Sequence, residues 1–529
     1  MELPLAPLLA AAVVALVAAA VSRPSFPPRR PLPAPSWSDY APGGAVWRLH
    51  SDPRSLSAVL RELHGRLGRV LSLRLGLRTV VVSAHPADVA AILGKPAAFA
   101  RPPAYWAVME ATVPGGVTAL ERRAHRAARR HIRGAFGPSL LGVWAPALRD
   151  AAGAMLADAE RRRAAAAADP SPAAAVAISD VFRAAATRLL FTVAFGMAVD
   201  EAVVADMVST SRDCVLAMMT DYLGYPLRQC RAVWPLRPRA RLCAAVDALR
   251  WVYTPLVVAR RAEAAADKAV RPPDLLDVLV ATDGCDAGVD AAVSNVITFG
   301  LAGTATTAEA AAWTVVYLSS ADGWRAKVVA EVDAAFAAGG GVLSVGAAAG
   351  LRALQAAWKE TLRLSPAIGT FERVATAATS LPGSGVALPT GTPVMAYAAG
   401  AALDDSLWTD AAVFHPQRWE EAPPPREGEE PPTADTGTQG PAAGAAAPPP
   451  GAYVPFSVGV ENCPGAFLAD AEGVLLLAFL YHAYTVTLAV LRDAVRAVSG
   501  WAESARTDDP AGAPGNAAWG VPVHLTPRR

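Results

Sequence analysis

The chain has 529 residues, with 48 basic against 47 acidic side chains and 53% hydrophobic residues. Its net charge of +1 argues against a nucleic-acid-binding protein, because such proteins carry a clear basic excess. Only one apolar run approaches the length of a membrane span, which excludes a multi-pass transporter or channel. The five cysteines are too few for a disulfide scaffold, and none forms the C-x-x-C pair of a zinc ribbon or a thioredoxin-type redox site.

The single apolar run extends from Leu3 to Val21. As a helix it would rise about 28 Å, against a hydrocarbon core of about 30 Å. Glu2 precedes it and arginines follow it, so the positive-inside rule predicts an N-terminal membrane anchor, residues 1–22, with the following chain in the cytosol. A cleaved signal peptide is the alternative, because small residues such as Ala18 could supply a cleavage site.

Other segments contain few side chains that could form a core. Repeated prolines in residues 23–44 disfavour helix and predict a stiff linker after the anchor. Residues 165–175 and 420–450 are low-complexity stretches, which we interpret as disordered surface insertions. The predicted organisation is therefore an anchor, a linker and one large folded domain, residues 45–529, with an insertion at 420–450.

The folded domain begins with short β-prone runs at Val70 to Leu75 and Thr79 to Ser83, after which a helix is predicted to begin at Pro86. Segments rich in Ala, Leu, Val and Arg then continue to about residue 337, and this composition favours helix. The sequence therefore predicts a mainly α protein with small β-sheets.

A long, largely apolar helix is predicted from Val289 to Leu318, interrupted by small and hydroxyl residues from Gly300 to Thr307. Glycine weakens a helix by about 1 kcal/mol, and a threonine hydroxyl can bond back to the i−4 carbonyl and bend the helix. A bent and locally opened helix would leave room for a small ligand. Ordinary core packing of small residues is the alternative.

Two charged motifs follow this helix. Glu360 and Arg363 are spaced i, i+3 and so lie on one helix face, and Arg418 follows a proline in the run Phe414 to Trp419. The run Phe456 to Gly465 then leads directly into an apolar helix.

Cys463 lies at the start of that helix, which begins near Ala466. A cysteine at a helix N-terminus has a lowered thiolate pKa, since backbone N–H groups stabilise the charged sulfur. Cys463 is therefore a good candidate for a soft metal ligand. The other cysteines, Cys214, Cys230, Cys243 and Cys285, have no motif around them, and we interpret them as packing or surface residues.

In this order, the motifs resemble those of the cytochrome P450 superfamily, the haem-thiolate monooxygenases, in its microsomal form, and the resemblance covers almost the whole chain. It implies the cytochrome P450 fold, haem b as cofactor, and insertion of one oxygen atom from O2 into a lipophilic small molecule such as a sterol, fatty acid or terpenoid. It also implies a single-pass protein of the endoplasmic reticulum membrane with a cytosolic catalytic domain.

The resemblance assigns a role to each motif residue. The Cys463 thiolate would bind the haem iron and donate electron density to it. The remaining assignments are the distal oxygen-binding residues Thr306, Ala302 and Gly303; the residues of the ligand loop Phe456, Gly459 and Gly465; the buried charge network Glu360, Arg363 and Arg418; and the partners of the haem propionates His125, Arg129 and Arg373.

Two residues depart from the family pattern. Ala305 stands where the family usually has Asp or Glu before the distal threonine, so proton delivery through a carboxyl at that position cannot operate. Glu461 stands where the family usually has an arginine that pairs with a haem propionate. We expect this carboxylate to repel the propionate unless it turns to solvent or is protonated.

One basic run, Arg122 to Arg133, is opposed only by Glu121. We interpret it as the docking face for an NADPH-dependent reductase, because such flavoproteins present acidic surfaces, with a solvated helix face as the alternative. The chain has no Rossmann G-x-G-x-x-G after a strand, so it is not a self-sufficient fusion. Two other functions remain open: an isomerase or dehydratase of the same fold that acts without O2, and a non-catalytic haem-binding protein.

Overall fold

The computed structural model describes residues 32–40, 46, 56–75, 78–168, 175–197, 199–223, 237–265, 274–280, 288–420, 448–490, 495–498, 504–507 and 520–528. The predicted anchor, most of the predicted linker, residues 169–174 and residues 421–447 lie outside these described residues, as do Cys230 and Cys285.

Helices account for most of the described residues. In chain order they are α1 Trp37–Tyr40, α2 Leu56–Leu67, α3 Pro86–Gly94, α4 Pro103–Thr112, α5 Arg122–Arg133, α6 Leu141–Ala168, α7 Ile178–Phe195, α8 Glu201–Leu223, α9 Arg237–Ala265, α10 Leu275–Val280, α11 Val289–Ser319, α12 Asp322–Ala338, α13 Val345–Ala348, α14 Arg352–Leu364, α15 Ala398–Ala402 and α16 Ala466–Ala483.

The strands are short. They are β1 Val70–Leu75, β2 Arg78–Ser83, β3 Phe99–Ala100, β4 Val176–Ala177, β5 Thr370–Ala375, β6 Thr379–Ser380, β7 Ala387–Leu388, β8 Pro393–Tyr397, β9 Tyr484–Leu488, β10 Val495–Val498, β11 Ser504–Thr507 and β12 Pro522–Pro527. They form a five-stranded sheet in the order β1-β2-β8-β5-β3, a three-stranded sheet β4-β12-β9 and two two-stranded sheets. The prediction of a mainly α protein with small β-sheets is confirmed.

The antiparallel pair β1 and β2 shows how the local pattern determines a strand. Leu71 pairs with Val82 and Leu73 pairs with Val80, and all four side chains are fully buried. Because side chains alternate across a strand, these residues form one apolar face. That face belongs to the same hydrophobic cluster as Leu60 of α2.

The central helix α11 packs against α7, α9, α14 and α16. It is continuous, so residues 300–307 do not break the helix, and ordinary core packing of small residues, the alternative given above, accounts for this segment. The glycines serve helix packing instead: a Cβ at Gly300 would lie 2.5 Å from Tyr253 Oη of α9, and a Cβ at Gly303 would lie 3.2 Å from Leu190 of α7. Close contact with neighbouring helices offsets the low helix propensity of glycine.

Two helices within the described ranges, Ala240–Ala264 in α9 and Ala466–Ala483, are long and apolar enough to cross a membrane. More than half of the apolar stretch of the second helix is buried inside the protein, where Leu475, Leu477 and Leu480 form part of the main hydrophobic core. That helix is therefore accounted for by the fold. Neither helix tests the predicted anchor, which lies in residues that the structure does not describe.

Candidate functional site

The cysteine loop connects a 3-10 turn, Gly459–Glu461, to the start of α16. The Cys463 N–H donates a hydrogen bond of 2.9 Å to the Phe456 carbonyl, which folds the loop back on itself. Gly459 has a φ of +72°, and a Cβ there would meet the backbone of Gly94 at 3.4 Å. Glycine is required at this turn because other residues strain in the left-handed region.

The environment of Cys463 opposes ionisation of its thiol. Its side chain is accessible, yet desolvation by the surrounding protein raises the pKa of its thiol, against the lowering effects of the Gly465 N–H and the Arg129 guanidinium. The expected lowering of this pKa is therefore wrong, because burial outweighs the helix terminus. A bound cation would deprotonate such a thiol, because a metal ligand must be the thiolate.

Glu461 connects two arginines beside this loop. Its Oε2 accepts hydrogen bonds from Arg101 Nε at 3.1 Å and from Arg373 Nη2 at 3.0 Å. Arg101 Nη1 also donates to the hydroxyl of Tyr105 at 2.6 Å and to the carbonyl of Thr118 at 3.1 Å. Glu461 therefore does not turn to solvent, and Arg101 is a site residue that sequence reasoning missed, since no motif surrounds it.

The basic helix α5 contributes two of the predicted residues from its inner face. Arg129 Nη2 donates to the carbonyl and to the side-chain oxygen of Asn462, at 2.9 and 2.6 Å. His125 is only 7% exposed, so its ring faces the protein and not the solvent. Desolvation, with further lowering by Arg101, brings the pKa of His125 to about 4, and the ring is neutral at pH 7.

The distal candidates occupy an accessible strip on a helix that is otherwise mostly buried. Ala302 is exposed, and Gly303, Ala305 and Thr306 are partly exposed. The Thr306 hydroxyl donates to the Ala302 carbonyl at 2.8 Å, which is the predicted i−4 bond. Small and hydroxyl side chains therefore face an opening in the middle of α11.

The predicted charge network assembles around Glu360, which has no exposed surface. Its two oxygens accept hydrogen bonds from Arg363 at 2.8 and 2.9 Å, and one of them also accepts from Arg418 Nε at 3.0 Å. Trp419 Nε1 donates to the same carboxylate at 2.8 Å. This network joins α14 to the segment that contains Arg418.

The residues of this region fit haem b. The accessible thiol of Cys463 can supply one soft ligand to iron. Arg101, Arg129 and Arg373 lie around the same loop and can pair with carboxylates. A Cβ at Gly465 would lie 4.0 Å from the Cys463 sulfur, so glycine keeps the approach to the sulfur open.

Comparisons with known proteins agree with this geometry. Cytochrome P450 714B1 of Oryza sativa subsp. japonica is 31% identical over 203 residues, which are 38% of this chain and 33% of that protein. Cytochrome P450 78A1 of Zea mays is 33% identical over 214 residues, which are 40% of this chain and 36% of that protein. These alignments span about a third of the length of each relative.

A crystal structure of cytochrome P450DA heme domain matches with a TM-score of 0.73, covering 94% of this chain and 98% of that chain at 17% identity, which shows the fold. Residues 43–504 match the family described as Cytochrome P450. The chain therefore belongs to the cytochrome P450 family, whose cofactor is haem b with an axial cysteine thiolate.

Proposed function

We propose that this protein is a haem-thiolate monooxygenase in which Cys463 is the axial ligand of the iron. The observation that carries the proposal is the position of the Cys463 thiol, which is accessible just before α16 in a loop that Arg101, Arg129 and Arg373 contact. Haem bound there would supply the activation of O2 for insertion of one oxygen atom into the substrate.

The side chains of the protein then have three tasks. Arg101, Arg129 and Arg373 would hold the two haem propionates through charge-assisted hydrogen bonds. Glu360 and its arginines hold the segments behind the site in place. Thr306 holds a hydroxyl proton at the distal side. Ala302 and Gly303 are small and leave space above the helix there, and Ala305 contributes no titratable group.

Reduced-CO difference spectroscopy tests the ligand. We expect the wild-type Soret band at the long-wavelength position that marks thiolate ligation, and a shift away from it in Cys463→His. Cys243→Ser is the matched control, because Cys243 is an exposed cysteine outside every motif. An unchanged band in Cys463→His would refute the assignment.

Ala305 favours a second candidate function. A reaction that does not activate O2 needs no proton delivery at the distal side, so it does not need a carboxyl at position 305. An isomerase or dehydratase of this fold would turn over an oxygenated substrate without NADPH, O2 or a reductase. A turnover assay with and without each of these distinguishes the two functions. Haem binding without turnover of any tested substrate would favour a non-catalytic protein.

The substrate and partners are part of the proposal. Apolar and small side chains on the accessible strip of α11 suit a lipophilic small molecule such as a sterol, fatty acid or terpenoid. The exposed arginines of α5, which include Arg122, Arg123, Arg126, Arg130 and Arg133, suit an acidic reductase surface.

We also propose attachment to the endoplasmic reticulum membrane through residues 1–22. Deletion of these residues should move much of the protein into the soluble fraction, because the apolar run from Leu3 to Val21 approaches the length of a membrane span. Full alkaline extraction of the intact protein would show that the segment does not span.

A further inference from the structure

Glu461 occupies a central position among the arginines beside the cysteine loop. Its Oε2 accepts from both Arg101 and Arg373, at 3.1 and 3.0 Å. The side chains of Glu461, Arg101 and Arg373 are 16%, 11% and 10% exposed, so both ion pairs are nearly buried. Ion pairs in such a setting are screened far less than pairs at the surface.

The shared oxygen brings two guanidinium groups to one point. Like charges this close repel each other strongly in a poorly solvated site. The carboxylate between them removes that repulsion and sets the direction of both side chains. Removing it would therefore disturb two cations at once, which is more than the loss of one surface ion pair.

Arg101 is restrained at its other end as well. Its Nη1 bonds the Tyr105 hydroxyl and the Thr118 carbonyl, and its guanidinium lies 4.6 Å from the centre of the Tyr105 ring. Its Nη2 takes part in none of these bonds within the described part of the chain. Glu461 and Tyr105 together therefore fix the plane of a guanidinium that keeps one donor group available.

The charges of the site can be counted. Arg101, Arg129 and Arg373 are cationic, Glu461 is anionic, and His125 is neutral at pH 7 as described above. The excess of two positive charges is equal in magnitude and opposite in sign to the charge of two ionised haem propionates. With arginine at position 461 the same site would instead carry an excess of four positive charges.

We propose that Glu461 is a positioning residue of the haem propionate site, which holds Arg101 and Arg373 for the propionates and balances their charge. The family's arginine at this position contacts a propionate itself, whereas Glu461 acts through two other arginines. This inference rests on haem ligation by Cys463 as proposed above. It replaces the expectation that Glu461 only repels a propionate.

The rate of haem transfer from the full-length loaded protein to excess apomyoglobin tests this role. We expect Glu461→Gln to release haem about tenfold faster than wild type, because loss of one charged hydrogen-bond partner corresponds to about that factor. Glu461→Arg should release it faster still, because a further cation would lie between Arg101 and Arg373. If Glu461 only repels a propionate, both variants should release haem more slowly than wild type, and Glu461→Arg most slowly, since it restores the family residue.

Release from either variant at or below the wild-type rate overturns the proposal. Glu62→Gln, an exposed carboxylate in α2, is the matched control and should leave the rate unchanged. Should Glu461→Arg fail to fold, Glu461→Gln alone decides.

The outcome is separable from that of the proposed function. A wild-type protein without the thiolate Soret band refutes ligation by Cys463 and, with it, the role of Glu461 that rests on this ligation. A wild-type protein with that band but with the reverse order of release refutes only the role of Glu461.

Discussion

Replacement of Glu360 by glutamine tests whether the buried charge network stabilises the fold. Glu360 accepts five hydrogen bonds, two from Arg363 and one each from the His415 N–H, Arg418 Nε and Trp419 Nε1. Glutamine has the same size, but its carboxamide is neutral and directs an N–H2 group towards these donors. The substitution therefore leaves the Arg363 guanidinium, which also has no exposed surface, without its counter-charge.

The expected magnitude follows from this geometry. Breaking a buried ion pair by removing one partner costs about 3–5 kcal/mol, a large share of the roughly 5–15 kcal/mol that keeps a protein folded. Burial alone would raise the pKa of Glu360, but the hydrogen bonds and charges of Arg363 and Arg418 outweigh burial and hold it below its ordinary value. The carboxylate is thus ionised at neutral pH. The contribution of ionised Glu360 to the free energy of unfolding is present above its unfolded-state pKa and is lost as the pH falls through its folded-state pKa.

The assay is thermal denaturation of wild type and Glu360→Gln at pH 7, followed by circular dichroism and by loss of the Soret band. We expect the midpoint to fall by roughly 5 °C or more, with a lower yield of soluble protein. Glu62→Gln removes one member of an exposed pair, Glu62 and Arg66, and should leave the midpoint unchanged. A Glu360→Gln midpoint equal to that of wild type would refute the assignment of a stabilising network.

Three further predictions follow from the site and its surroundings. Thr306→Ala should lower the product formed per NADPH consumed, because the distal proton must pass through the Thr306 hydroxyl, and Ala305→Asp should raise it, because it adds a titratable group beside that hydroxyl. If Thr306→Ala keeps full turnover that is independent of NADPH and O2, the isomerase or dehydratase function is favoured instead. Arg123→Glu and Arg126→Glu should each slow reduction by the reductase and weaken its dependence on salt in stopped-flow measurements, and unchanged kinetics would contradict docking on α5. Glu472→Gln should stabilise the protein relative to wild type, and increasingly so from pH 5 to pH 8. Burial raises the pKa of Glu472 to about 8, and its Oε1 has no partner among the described residues, so the folded protein keeps a proton that the unfolded chain has already lost, and wild-type stability falls as the pH rises. A difference in melting temperature between the two proteins that is constant with pH would contradict this.

The sequence by itself determined the elements that depend on neighbours along the chain. The β1 and β2 runs, the helix that begins at Pro86 and the helix that begins at Ala466 all lie where the sequence predicts them. Local periodicity and the restricted backbone of proline are sufficient for these assignments. The pairing of Glu360 with Arg363 was also accessible, since the i, i+3 spacing within one helix already places both side chains on one face.

The tertiary structure alone decided the contacts and the electrostatics of the site. Arg101 and Glu461 are 360 residues apart in the chain, so no spacing within the sequence could indicate that they form an ion pair. The close packing of Gly300 against Tyr253 and of Gly303 against Leu190 likewise joins helices that are far apart in the chain. The raised pKa of the Cys463 thiol depends on how much protein surrounds it, because desolvation is a sum over residues from many segments and leaves no local pattern in the sequence.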